Sequence, residues 1–288
     1  MSHWFKHLFA LFIILSLSTY SSHAQNFYKE GLAQGTTYTL QADLPRWIPT
    51  YWATIQLIQR MQNIDQQLST YRPDSEISKF NHAKKNTPQH ISKDFLYVLQ
   101  FGKILYSLTD GYWDGTIYGL SSTRTKAPGM TNIHISNQTI YKKSDDLKLT
   151  LDSIAQGYTV DLLTEKLIHW GGDNIRVELG GEVRVFSQKN HPQKVNIASP
   201  YSNYTRSNHH LSLTNQAIST SGFDNKGPHI LNPKNTKKHP NLTQTMIVIA
   251  PTALIADGLS TALIVLPKNK HKKLLTHFPN TKVVILKN

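Results

Sequence analysis

The sequence predicts an α+β fold, and three observations carry that expectation. Long stretches show apolar residues three and four apart, short β-rich runs lie between turns, and the two kinds mix without the regular βαβ rhythm of a parallel sheet. The 288 residues contain no internal repeat and no low-complexity tract, and their length suits one folding unit.

The first seven residues, Met1 to His7, are basic and aromatic, and an apolar run from Leu8 to Leu17 follows, with small residues ending at Ala24. This is the layout of a cleaved secretory signal. The run is shorter than the roughly 20 apolar residues of a spanning helix. We therefore expect a signal peptide over 1–24, an exported, periplasm-type soluble domain over 25–288, and no stable membrane span after cleavage.

Thr36 to Ala42 alternates as a strand does. From Trp52 to Leu68 the apolar residues Trp52, Ile55, Ile58, Met61, Ile64 and Leu68 draw one stripe on a helix. Pro73 to Glu76 makes a turn that can start a short helical turn through Phe80. Asp94 to Thr109 has helical spacing again and closes at Asp110-Gly111. Ser121 to Gly129 is polar, basic and aperiodic, hence a loop, and Ile133 to Tyr141 is expected to form a hairpin around Ser136-Asn137.

Ile154 to Trp170 is a helix stopped by Gly171-Gly172. Short strands are expected at Ile175 to Leu179, Val183 to Phe186, Lys194 to Ala198, His210 to Leu213 and Met246 to Ala250. A helix from Ala253 to Leu263 precedes a last strand, Lys282 to Leu286.

With no cysteine, the chain has no disulfide, thiolate metal site, Cys nucleophile or lipid-bearing Cys, so stability rests on an apolar core. The formal net charge of +13 is spread along the chain, with minor clusters at Lys234 to His239 and Lys268 to Lys273. That dispersion, together with export, argues against a nucleic-acid partner, while a basic surface suits a pyrophosphate ligand.

Four segments invite a functional reading. Leu68 to Ile77, followed by Asn81, is on its own a helix exit with a turn. Leu179-Gly180-Gly181-Glu182 either lets a backbone approach a phosphate or makes a hairpin turn. Ile218 to Gly222 places small hydroxyl residues such as Ser221 before a glycine, a set of donors suited to oxyanions. His229 follows and can move a proton near neutral pH, although it is one of 14 histidines. In Pro251 to Leu263, Asp257 and Thr261 are four apart, so their oxygens share one helix face and form a hard pair of the kind Mg2+ accepts. An acidic residue favoured by the helix dipole, with a threonine bonded to the preceding turn, explains the same pair without a metal.

Taken together and in order, these segments resemble the FAD:protein FMN transferase family (ApbE type) over about Gly35 to Leu266. The specific pieces are Leu68 to Asn81, Thr220-Ser221-Gly222 with His229 to Pro233, and Ala250 to Leu266. Gly111 to Leu120, Ser153 to Asp161 and Gly180-Gly181 are weaker echoes. The resemblance implies two intimate lobes with mixed or antiparallel sheets, packed helices and a ligand cleft between the lobes. It implies Mg2+ held by Asp257 and Thr261 with help from Ser153, and Ser260 standing where some relatives carry a further acidic ligand. Contacts to FAD would fall at Gln34, Tyr71, Tyr112, Trp113, Asp114, Thr150, Gln156, Gly180, Gly181, Ser221 and Leu231, and His229 would take part in the transfer step.

Several positions depart from the family pattern. Thr150 stands for the usual Asp, Asp152-Ser153 for a small pair and Gln156 for a frequent Lys, and the links Leu120 to Ile133 and Gly222 to His229 are short. The expected activity is Mg2+-dependent transfer of FMN from FAD to a Thr or Ser hydroxyl of an acceptor flavoprotein, with release of AMP. Two alternatives use the same cleft: a FAD pyrophosphatase giving FMN and AMP, and a non-catalytic exported FAD-binding protein.

Overall fold

A computed structural model of the protein describes residues 24–117, 127–196, 210–222, 230–235 and 244–287. Residues 1–23 of the signal expected over 1–24, and residues 121–126 of the loop expected from Ser121 to Gly129, lie outside the described residues.

The frame is a seven-stranded sheet in the order β1-β2-β6-β7-β10-β11-β12, antiparallel at every pairing. Its strands are β1 (Ala24–Ala33), β2 (Thr36–Pro45), β6 (Asp173–Leu179), β7 (Glu182–Phe186), β10 (Ala217–Ser221), β11 (Gln244–Ala250) and β12 (Lys282–Lys287). A small sheet joins β3 (Gln89–His90), β5 (Thr139–Lys142) and β4 (Ile133–Ser136), and β8 (Gln193–Asn196) pairs with β9 (His210–Leu213). The α+β expectation holds, and all described pairings belong to the antiparallel side of it.

Tight hairpins build this sheet. Gln34 and Gly35 both have positive φ, 51° and 73°, as the central pair of a two-residue turn between twisted strands requires. Gly180 and Gly181, at φ 70° and 137°, turn β6 into β7 so that Leu179 faces Glu182.

The described residues also form six α-helices: α1 (Thr50–Leu68), α2 (Glu76–His82), α3 (Lys93–Leu108), α4 (Asp152–His169), α5 (Ala253–Val265) and α6 (Lys268–Leu275). Side-chain oxygens start three of them. Ser75 accepts from the Ser78 N–H, Ser92 from Phe95 and Thr252 from Ile255, each satisfying an orphan donor of the first turn. Gly171 at φ 82° ends α4, as its sequence position implies.

The α1 stripe is rotated from the expected one. Ala53, Leu57, Met61, Ile64 and Leu68 are buried, whereas Trp52 is 42 % exposed and rests its ring against Trp170, 4.9 Å between centroids. A ring at the rim satisfies the same spacing as a residue in the core, so periodicity alone does not separate them. β1, β10 and α6 were also not expected. β1 is the polar outer strand of the sheet, β10 carries hydroxyl side chains, and α6 is the basic Lys268 cluster anchored by buried Leu274.

α4 and α5 lie together on the sheet, with α4 against β6 and β7 and α5 against β7, β10 and β11. Their contact is close because Gly157 lacks a side chain: a Cβ there would sit 2.4 Å from the Ala253 carbonyl oxygen. Gly258 gives α5 the same closeness to Leu105 and Phe101 of α3. The two helices thus bring residues a hundred positions apart to one place.

Candidate active site

Asp161 fixes the start of α5. Its two carboxylate oxygens accept the Ala253 and Leu254 N–H groups at 2.8 Å each, and Arg184 adds a charged donor at 3.0 Å. A carboxylate on the orphan donors of a helix N-terminus is favoured by hydrogen bonding and by the dipole. One turn into the helix, Asp257 is 5 % exposed, and its Oδ2 accepts the Gly157 N–H at 2.9 Å. Burial pushes its carboxyl well above the usual carboxylate range, and the charges of Glu182 and Asp161 push the same way.

Thr261 follows one turn later on the same face, where Asp257 and Thr261 both line a cleft of about 830 Å³. The Ser221 hydroxyl lies 3.2 Å from Thr261 Oγ1 and 2.7 Å from Ser260 Oγ, and Ser260 lies 3.2 Å from Ser219. Ser219 in turn donates to Glu182 Oε1 at 3.2 Å. Ser260 is fully buried within this hydroxyl cluster, where it also donates to the Asp257 carbonyl at 2.9 Å.

The remaining walls come from five places. The β6–β7 turn supplies Gly180 and Gly181, the α4 start supplies Ser153 and Gln156, the segment after α3 supplies Tyr112, Trp113 and Asp114, and Leu231 and Thr150 close the sides. Tyr71 stands at the rim, 89 % exposed. Asp114 Oδ1 accepts both the N–H and the hydroxyl of Thr116, at 2.9 and 2.7 Å, and burial pushes its carboxyl up to about 6. The hairpin reading of Gly180-Gly181 holds, and the turn forms part of the cleft wall, with Gly180 beside the Gln156 side chain.

All but two of the residues expected to form the site line this one cleft. Gln34 lines an adjoining hollow of about 560 Å³ that shares Tyr71, Asp152 and Gln156 with the cleft, and its amide donates to Thr159 Oγ1 at 3.0 Å. His229 lies outside the described residues.

Sequence reasoning gave no role to Glu182, although it ends the Leu179 to Glu182 segment, and did not single out Thr245. Both line the cleft, and both carry a buried oxygen, Oε2 and Oγ1, without a hydrogen-bond partner among the described residues. Glu182 did carry a signal: an acidic residue directly after a two-glycine turn, at the head of an apolar strand. Thr245 carried none, because a threonine in a strand fits the pleated surface unaided.

The donor chemistry fits a hard cation. Mg2+ is held by one or two carboxylates together with substrate phosphates and waters, and Asp257 with Thr261 offers one carboxylate and one hydroxyl at the cleft wall. Glu182, whose buried Oε2 has no hydrogen-bond partner among the described residues, lines the same cleft as Asp257. Among the described residues no three His, Asp or Glu side chains form a metal-holding group.

Fold and site together define a mixed helix and antiparallel-sheet protein with an open cleft floored by buried carboxyls. The model of the ApbE family matches residues 34–285, and the chain belongs to that family. Relatives named FAD:protein FMN transferase include one from Vibrio cholerae, 26 % identical over 94 % of this chain and 89 % of its own length. Another, from Haemophilus influenzae, is 29 % identical over 91 % and 87 %. The solved flavin transferase ApbE from Vibrio cholerae shares the fold with a TM-score of 0.76 at 24 % identity, covering 92 % of this chain and 94 % of that one. The apo form of the Pseudomonas stutzeri flavinyl transferase ApbE gives 0.74 at 24 %, with 92 % and 96 % covered.

Proposed function

We propose that the protein is a Mg2+-dependent FAD:protein FMN transferase that attaches FMN to a Thr or Ser hydroxyl of an acceptor protein and releases AMP. The observation that carries this reading is the Asp257–Thr261 pair in the wall of the cleft, within a chain whose family relatives bear that transferase name. Residues 1–24 are proposed as a signal that sends the enzyme out of the cytoplasm. No helix among the described residues is long and apolar enough to cross a membrane.

A divalent cation in this site would neutralise charge building on the pyrophosphate and the departing AMP. Positioning and electrostatics dominate phosphoryl transfer, so the chain's own residues chiefly bind and orient. Gly180 and Gly181 allow close backbone approach at the β6–β7 turn, Ser221 offers a hydroxyl, and Tyr71 and Tyr112 offer rings for flavin or adenine. His229 takes the proton of the acceptor hydroxyl. The acceptor oxygen then bonds the FMN phosphorus as the bond to the AMP phosphate breaks.

The test is incubation with FAD, Mg2+ and an acceptor fragment, followed by intact-mass measurement. A gain equal to one FMN moiety is expected. Unchanged acceptor mass with normal FAD binding would sink the reading.

A further inference from the structure

Glu182 opens β7 directly after the Gly180-Gly181 turn and is 7 % exposed, yet it belongs to the cleft wall. Ser219 fixes one carboxylate oxygen, Oε1. The other, Oε2, has no partner among the described residues. Buried polar atoms in native structures are almost always paired, so an orphaned carboxylate oxygen in a ligand cleft asks for a ligand.

Its surroundings say which kind. Arg184, the next cation along β7, is committed to Asp161 at 3.0 Å and Glu165 at 2.7 Å. Glu182 and Asp257 line the same cleft, and neither forms an ion pair among the described residues. Two buried carboxyls in the lining of one cleft, neither of them ion-paired among the described residues, suit a positively charged ligand.

We propose that Glu182 is a second carboxylate of the cation site, a positioning residue whose free Oε2 serves the divalent ion held by Asp257 and Thr261. Oε1 is pinned by Ser219, so the group is preorganised. This inference rests on the metal reading of Asp257, and it adds a charge that the four-residue spacing of Asp257 and Thr261 does not reveal.

The experiment uses Mn2+ as the probe, titrated by electron paramagnetic resonance into the whole protein saturated with FAD. Glu182→Gln keeps the shape and removes the charge, and should weaken Mn2+ binding about 10- to 100-fold, the range for loss of a residue supporting a metal site. FAD binding without metal, followed by flavin fluorescence, should stay the same or tighten. Glu182→Asp should recover part of the affinity. Should Glu182→Gln fail to fold, Ser219→Ala, which frees Oε1, should still weaken Mn2+ binding several-fold while leaving metal-free FAD binding unchanged.

Wild-type Mn2+ affinity in folded Glu182→Gln, with Asp257→Asn deficient, would overturn this inference alone. Wild-type affinity in both variants would overturn the metal reading as well.

Discussion

Gly157 and Asp257 touch across the α4–α5 contact: the glycine N–H donates to Asp257 Oδ2 at 2.9 Å, and there is no room between them for a methyl group. A Cβ on Gly157 would lie 2.7 Å from Asp257 Cβ and 2.4 Å from the Ala253 carbonyl oxygen. The second neighbour is backbone and cannot swing away. Gly157→Ala should therefore push the helices apart and lower stability by about 1–3 kcal/mol, the usual penalty of overpacking. It should also impair metal-dependent turnover by moving Asp257. Urea unfolding and an FMN-transfer assay read the two effects, and a wild-type urea midpoint would contradict the close contact.

Asp161→Ala removes three charge-assisted or capping bonds at once, leaving the Ala253 and Leu254 N–H groups and part of the Arg184 guanidinium without partners. Breaking a buried pair of this kind costs about 3–5 kcal/mol. A matching drop in denaturant stability is expected, with the slope of unfolding unchanged. A loss under about 1 kcal/mol would mean that water replaces the carboxylate readily.

Burial holds the Glu182 carboxyl up to about 7, against its ordinary 4.5. The folded state therefore keeps a proton that the unfolded chain gives up across this window, so the folded state binds more protons. Stability from this group then falls as pH rises from about 4.5 to about 7, and is flat above. Asp257, raised by burial, acts in the same direction. In metal-free protein, Glu182→Gln should gain stability relative to wild type as pH goes from 5 to 8. Thermal melts in a chelating buffer read this difference, and a gap that narrows with rising pH would contradict the assignment.

Tyr71→Ala separates binding from folding. The side chain is 89 % exposed at the rim of the cleft, so stability should change by less than about 0.5 kcal/mol. An aromatic contact with the flavin or adenine is worth about 0.5–1.5 kcal/mol, so FAD affinity should fall roughly 2- to 10-fold. Flavin fluorescence titration measures this, and unchanged affinity would remove Tyr71 from the site.

Much of the frame was legible before any coordinates. The Gly171 stop, the helical spacing of α3 and α5, and the hairpin at Asn137 each follow from chemistry within a few residues, because caps, turns and periodicity are local. Asp257 and Thr261 belong here too, since a helix alone places residues four apart on one face. β1 escaped notice because an outer strand with a polar, half-exposed pattern lacks the alternation of a buried one. Trp52 shares the spacing of the stripe yet lies at the rim, because spacing cannot tell core from rim.

The chain by itself determined its element types, its turns and the paired oxygens near its carboxyl end, since each is settled by neighbours in sequence. Only the folded arrangement decided that Gly157 would hold Asp257, that Ser219 would hold Glu182, and that Glu182 would keep one oxygen free beside the cleft. The reason is physical: burial and electrostatic coupling depend on distance in space, and no local rule brings together residues separated by up to a hundred positions.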